Sequence, residues 1–211
     1  MFRIGGFLPL SLCDFPGRVA AVVFTRGCNF RCPFCHNGHL LAGEGTDDLA
    51  EAAVLERLAD LSPRLQGVVV TGGEPTLQPE LPRFIRALRA RRLLVKLDTN
   101  GSRPGVLESL LGAHLLDFVA MDIKAPWARY PVLTGAPCDV GALQRSVALI
   151  AASGLPHQFR TTRVASLLTD DDCAAITRQV PSGSPHVFQP FLPEHALDPV
   201  LRRMGNVPDA P

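Results

Sequence analysis

The chain has 211 residues, 46% of them hydrophobic, with 21 Lys and Arg against 20 Asp and Glu and a formal net charge of +1. That length and apolar fraction support one sizeable buried core and exclude a disordered chain. A net charge near zero argues against nucleic acid or an anionic membrane as the main partner, since the basic residues are scattered except in the stretch 83–96, which reads as the solvated face of a helix.

In chain order, the apolar run 18–25 (RVAAVVFT) predicts a buried strand ending where Gly27 opens a cysteine-rich loop. Residues 46–61 predict a helix capped by Thr46 or Asp47, with Leu49, Ala53, Leu58 and Leu61 recurring along one face. A strand at 67–71 (GVVVT) runs into Gly72 and Gly73. It is followed by a helix at 79–92, whose prolines stand at its start, and a strand at 93–98. The alternation continues with helix 104–113, strand 116–123, helix 139–153, strand 157–164, helix 169–180 and strand 186–190. Six apolar strands alternating with helices predict an α/β fold, a partial (β/α)6 barrel of parallel strands; a doubly wound open sheet is the alternative. Residues 1–200 are expected to form a single domain and 201–211, with Gly205, Pro208 and Pro211, a loose tail.

The stretch 24–39 (FTRGCNFRCPFCHNGH) places Cys28, Cys32 and Cys35 at spacings of four and three residues. A cubic iron-sulfur cluster takes four ligands, so a triplet leaves one iron open to a small molecule. On the triplet alone a Cys3His zinc site using His36 fits equally well. There is no basic, apolar, small-residue secretory pattern at the N-terminus and no apolar run long enough to span a membrane, so the chain is expected in the cytoplasm, where clustered cysteines serve as metal ligands rather than disulfides. Cys13, Cys138 and Cys173 read as small buried hydrophobes.

Unusual residues collect at the ends of the predicted strands: Thr71-Gly72-Gly73-Glu74-Pro75, Asp98-Thr99-Asn100-Gly101, Asp122-Ile123-Lys124, Arg160 with Arg163, and Gln189. Each has an ordinary explanation as a turn, a cap or a surface charge. Five such clusters at successive strand ends surround one mouth. Together they offer backbone atoms, carboxylates and cations to a zwitterionic, nucleoside-sized ligand.

Seven stretches then carry a resemblance: SLCDFPG (11–17), VFTRGCNFRCPFCHN (23–37), VTGGEPTLQ (70–78), KLDTNGS (96–102), VAMDIKAP (119–126), FRTT (159–162) and FQPFL (188–192). In this order they resemble radical S-adenosylmethionine enzymes of the glycyl-radical enzyme activating family, and among these the activating proteins of anaerobic ribonucleoside-triphosphate reductase, which are related to the pyruvate formate-lyase activating enzyme. The resemblance implies a [4Fe-4S] cluster on Cys28, Cys32 and Cys35, with S-adenosylmethionine on the fourth iron. Its reductive cleavage would give a 5'-deoxyadenosyl radical that generates a glycyl radical on a partner protein. The electron would come from a donor such as flavodoxin or ferredoxin.

Carried over residue by residue, Phe34 and His36 fall at cofactor-binding positions, Phe34 near adenine. Gly72, Gly73 and Glu74 fall at the segment that meets the methionine amino group. Asp98, Asn100 and Asp122 fall around the ribose, with Asp98, Thr99 and Asp122 as candidate ligands of a monovalent cation. Lys124 and Arg160 match cations near the methionine carboxylate or ribose, Gln189 faces adenine, and Asp14 lies where the partner's glycine loop is received. Val164-Ala165-Ser166 departs from the V-P-G common among relatives. No insertion with further cysteines follows the triplet, which implies one cluster. Two other readings are a radical enzyme acting on a small molecule such as a 7-deazapurine precursor, and a non-catalytic zinc-binding module.

Overall fold

The computed structural model of the chain describes residues 2–41 and 48–203. Seven strands lie in one sheet in sequence order: β1 Ile4–Ser11, β2 Ala20–Thr25, β3 Gly67–Gly72, β4 Leu94–Thr99, β5 Phe118–Asp122, β6 His157–Arg163 and β7 His186–Pro190. From β2 to β7 every pairing is parallel, whereas β1 runs antiparallel to β2. Helices α1 Glu51–Leu61, α2 Leu81–Arg89, α3 Pro104–Gly112, α4 Tyr130–Thr134, α5 Val140–Ala152, α6 Asp170–Gln179 and α7 Pro199–Arg203 fill the connections and the end of the described chain. The expected α/β partial barrel of parallel strands is what forms.

Strand β1 is the element the sequence reading missed. Its residues IGGFLPLS carry two glycines and a proline and give no clean alternation. It survives as an edge strand, where a missing N–H donor is tolerated. The helix expected at 46–61 starts at Glu51 with Ala50 at its N-cap; Thr46 and Asp47 lie outside the described residues. The expected loose tail is corrected at its start, because residues 201–203 complete α7, and its remainder lies outside the described residues. Caps explain the sharp starts of the last long helices. Asp139 accepts the Ala142 N–H at the start of α5, and Thr169 with Asp172 forms a reciprocal capping box on α6.

Period-two geometry gives the sheet two different faces. One set of strand residues, including Val23, Val70, Leu97, Met121 and Phe159, is fully buried against Leu58, Phe84, Ile85, Leu107, Leu143 and Ile150 of the helices. The alternate set faces the concave side. Ala20, Val22 and Val69 are buried there with Phe15, and Phe24, Leu94 and Phe118 pack against them. Phe15 sits edge-on to Phe118 at 6.0 Å, so this small apolar plug closes the end of the barrel from which the parallel strands start. Further along the same face the residues become Asp98, Asp122, Arg160 and Gln189. No helix among the described residues is long and apolar enough to cross a membrane.

Phe15→Ala should therefore cost about 3 to 5 kcal/mol of stability, the range for emptying a buried aromatic site. Urea unfolding measures it. A loss below about 1 kcal/mol, the size of a surface effect, would mean that the plug collapses onto other side chains.

Candidate active site

At the C-terminal ends of the parallel strands is a cavity of about 360 Å³. Cys28, Cys32 and Cys35, on the loop after β2, line it together with Phe34 and His36, and the side opposite is formed by Gly72, Gly73, Asp98, Thr99, Asn100, Asp122, Lys124, Arg160, Gln189 and, from the loop after β1, Asp14. Every predicted site residue except Glu74 thus borders one cavity. Period two along β6 would have added Thr162, which lines the cavity beside Arg160; Asn37 follows the cysteine triplet directly and was overlooked. Arg163 faces the other way and pairs with Asp170 at 3.1 Å.

Glu74 explains its own absence from the lining. It is fully buried, and its carboxylate accepts the Thr76 N–H at 3.1 Å, the Thr99 hydroxyl at 2.8 Å and the Asn100 N–H at 2.6 Å. Burial raises its pKa and these donors oppose the rise. The residue ties the loop after β3 to the loop after β4. Gly73 brings its own loop against the cysteine loop: its N–H donates to Thr25 O at 2.9 Å, the Glu74 N–H donates to Gly27 O at 2.8 Å, and a Cβ on Gly73 would lie 2.0 Å from Gly27 O. With these donors engaged inside the protein, backbone contact from this loop to a ligand amino group falls to carbonyl oxygens.

Sulfur atoms in the loop have built partners. Cys28 Sγ accepts the Phe30 N–H at 3.4 Å and the Asn100 side-chain amide at 3.7 Å, and Asn100 also donates to Asn29 Oδ1 at 2.9 Å. Burial, opposed by Lys124 and reinforced by Cys35 and Cys28, pushes the Cys32 thiol up to about 12. Burial also raises Cys28. A thiolate-binding centre therefore has to displace protons as it assembles.

His36, the fourth donor of the zinc alternative, has one ring nitrogen engaged. His36 Nε2 accepts the Leu192 N–H at 3.2 Å, and the ring stacks on Phe191 at 5.7 Å. Among the described residues no three His, Cys, Asp or Glu side chains close on a point where one metal ion would sit. The three solitary cysteines correct an expectation as well. Cys13 is exposed on the loop after the edge strand, and Cys138 and Cys173 are half-buried beside and on surface helices.

Charged residues on the concave face form a continuous line. Lys96 Nζ donates to Asp98 Oδ1, Arg160 Nη1 to Asp98 Oδ2 at 3.0 Å, Arg160 Nε to Asp122 Oδ1 at 2.9 Å, and Lys124 Nζ to Asp122 Oδ2 at 3.2 Å. Lys96, grouped by sequence with a solvated helix face, is buried in the sheet because its strand begins right after α2 and turns it inward. Thr99, expected beside a small cation, donates its hydroxyl hydrogen to Glu74. Arg160 is the group that sits between the two carboxylates of that candidate cation site. At the end of β6, the departure Val164-Ala165-Ser166 closes as a tight turn, with Leu167 and Leu168 donating to Val164 O.

Burial by itself would raise Asp122, but Arg160 and Lys124 outweigh it and hold its carboxyl at about 2. A depressed carboxylate stabilises the folded state above its unfolded value, and that contribution is lost as pH falls from about 4 through the folded value. Asp122→Asn should remove this part of the acid dependence of urea unfolding. Equal acid slopes for the two proteins would contradict the pairing.

The sequence profile of the radical SAM superfamily matches residues 22–178. A Methanocaldococcus jannaschii protein provisionally assigned as a glycyl-radical enzyme activating enzyme is 28% identical over 206 residues, covering 95% of this chain and 85% of its own. The pyruvate formate-lyase-activating enzyme of Clostridium pasteurianum is 34% identical over 129 residues, 59% of this chain, which spans 53% of that relative's length. Among solved structures, Streptococcus suis SuiB bound to S-adenosylmethionine superposes with a TM-score of 0.56 over 72% of this chain and 35% of its own, at 14% identity, a likeness of fold. The matched profile spans the cysteine loop and five of the strand ends that surround the cavity, and on that evidence the chain belongs to the radical SAM superfamily, whose cofactors are a [4Fe-4S] cluster and S-adenosylmethionine.

Proposed function

We propose that the chain is an activase that generates a glycyl radical on a partner enzyme, with anaerobic ribonucleoside-triphosphate reductase as that partner. The observation that carries the reading is the convergence of three cysteines and a line of paired carboxylates and cations on one cavity at the strand ends. Three thiolates satisfy three irons of a cubic cluster and leave the fourth to the amino and carboxylate groups of S-adenosylmethionine. A cluster held by Cys28, Cys32 and Cys35 would supply the electron for reductive cleavage of S-adenosylmethionine, the radical chemistry by which hydrogen would be removed from a glycine Cα.

This chain's own residues bind and orient. Lys124 and Arg160 meet the ligand's anionic or hydroxyl groups, the loop of Gly72 and Gly73 offers carbonyls to its amino group, and Phe34, Asn100 and Gln189 border the adenosine. Asn100 and the Phe30 N–H, through their hydrogen bonds to Cys28 Sγ, stabilise a more electron-rich sulfur and so tune the cluster's potential. The open sheet, with β1 and β7 as its edges, leaves room for a folded partner to insert a loop towards Asp14. The similarity to the Methanocaldococcus jannaschii protein extends over nearly the whole chain and supports the activase reading over a small-molecule reaction. Residues 1–200 act as a single domain in the reducing cytoplasm, without nucleic acid or membrane as partner, and a flavodoxin or ferredoxin supplies the electron.

Incubation of the cluster-loaded protein with reductant, S-adenosylmethionine and the reductase tests the reading. The expected result is a glycyl-radical signal on the reductase by electron paramagnetic resonance. Formation of 5'-deoxyadenosine without that signal would remove this partner. Cys32→Ala should hold far less than the wild-type complement of iron after anaerobic reconstitution while keeping its circular dichroism spectrum, and full iron retention would refute the ligand set.

A further inference from the structure

Lys96 has no part in the reading above, yet it is 1% exposed and stands in the middle of β4 on the concave face. Its ammonium lies 5.9 Å from the centre of the Phe118 ring and donates to Asp98 Oδ1. Asp98 Oδ2 takes the Arg160 guanidinium, which also holds Asp122, and Asp122 takes Lys124. From the apolar plug outwards the groups alternate in sign: three cations and two carboxylates. The last four border the cavity; Lys96 lies beneath it. A buried ammonium is costly unless paired, and here it is paired with a residue of the site rather than with a surface acid.

We propose that Lys96 is a positioning residue that serves as a built-in monovalent cation for Asp98 and gives the charge line one surplus positive charge at its open end, where Lys124 receives the ligand's carboxylate. The inference rests on the S-adenosylmethionine reading above. With Lys96 present, each oxygen of Asp98 has its own donor, and Arg160 divides itself between two aspartates. Without Lys96, Oδ1 of Asp98 is stranded in a buried place, and the carboxylate gains by swinging to take Arg160 in a two-pronged pair. Arg160 then leaves Asp122, which draws in Lys124. The line becomes two cations against two carboxylates, and the group facing the ligand is spent on its neighbour.

The test is equilibrium dialysis of S-adenosylmethionine against anaerobic, cluster-loaded protein, with iron content measured alongside. K96M should bind about tenfold more weakly or worse at unchanged iron content, the scale of one lost charged contact. K96R keeps the charge and should stay within about threefold of wild type. If Lys96 acts through Asp98, K96M/D98N should bind no more weakly than D98N, and this double variant, which leaves neither partner of the pair stranded, supplies the folded comparison if K96M is unstable. Wild-type affinity should also survive replacement of sodium and potassium by tetramethylammonium, whose methyl groups prevent inner-sphere coordination by carboxylate oxygens. Unchanged binding in K96M, a further tenfold loss in the double variant relative to D98N, or a severalfold loss in tetramethylammonium would each overturn the proposal. A wild-type protein that binds no S-adenosylmethionine would sink the functional reading itself, a result distinct from wild-type binding that is indifferent to K96M.

Discussion

Five ionised side chains on the concave face of one sheet impose the constraint that organises this site. Charges taken from water must be paired at close range, and the strand order β4-β5-β6 brings Asp98, Asp122 and Arg160 to neighbouring positions by register, Asp98 opposite Ala120 and Asp122 opposite Arg160. Lys96 and Lys124 complete the pairing from two residues before Asp98 and two residues after Asp122. The apolar plug of Phe15, Val22, Val69 and their neighbours covers the concave face where β2 to β5 begin. The barrel is thus apolar where its strands begin and charged where they end, and a ligand bearing both signs of charge is complementary to its open end only.

A second buried carboxylate does a different job. Glu74 binds no cation in this arrangement; it gathers backbone and hydroxyl donors from two loops. Through Asn100 those loops reach Cys28 Sγ, and through the Glu74 N–H they reach Gly27 O. The strand-end loops are therefore mechanically one piece with the cysteine loop. This is the kind of rigid support a cofactor needs when its reactive atom has to be held at a fixed place.

Much of this was legible from the residues. Apolar runs and their spacing gave six of the seven strands, and the rule that function gathers at the ends of parallel strands gave nearly the whole cavity lining. What was not legible has physical causes. Strand β1 is stabilised by pairing with β2 rather than by its own glycine- and proline-bearing sequence, so no local pattern announces it. Lys96 was assigned to solvent because its neighbours in sequence are the arginines of α2; a turn of one strand residue decides which face it takes. Glu74 was grouped with Gly72 and Gly73 as a residue of the site, while the partners that make it a loop-fixing residue, Thr99 and Asn100, come from a different strand end and are visible only in three dimensions. His36 shows the reverse: adjacency to Cys35 suggested a ligand, and packing against Phe191 gives the ring another role.

The central claim is that three thiolates hold a cube whose remaining iron is open to S-adenosylmethionine. Its most direct test is electron paramagnetic resonance of the anaerobically reconstituted, reduced protein before and after addition of S-adenosylmethionine, with 5'-deoxyadenosine quantified from the same sample. The expected result is a cubic-cluster signal that changes on addition of the cofactor, together with formation of 5'-deoxyadenosine. A protein that takes up zinc in place of iron, or a cluster signal indifferent to S-adenosylmethionine, would contradict it.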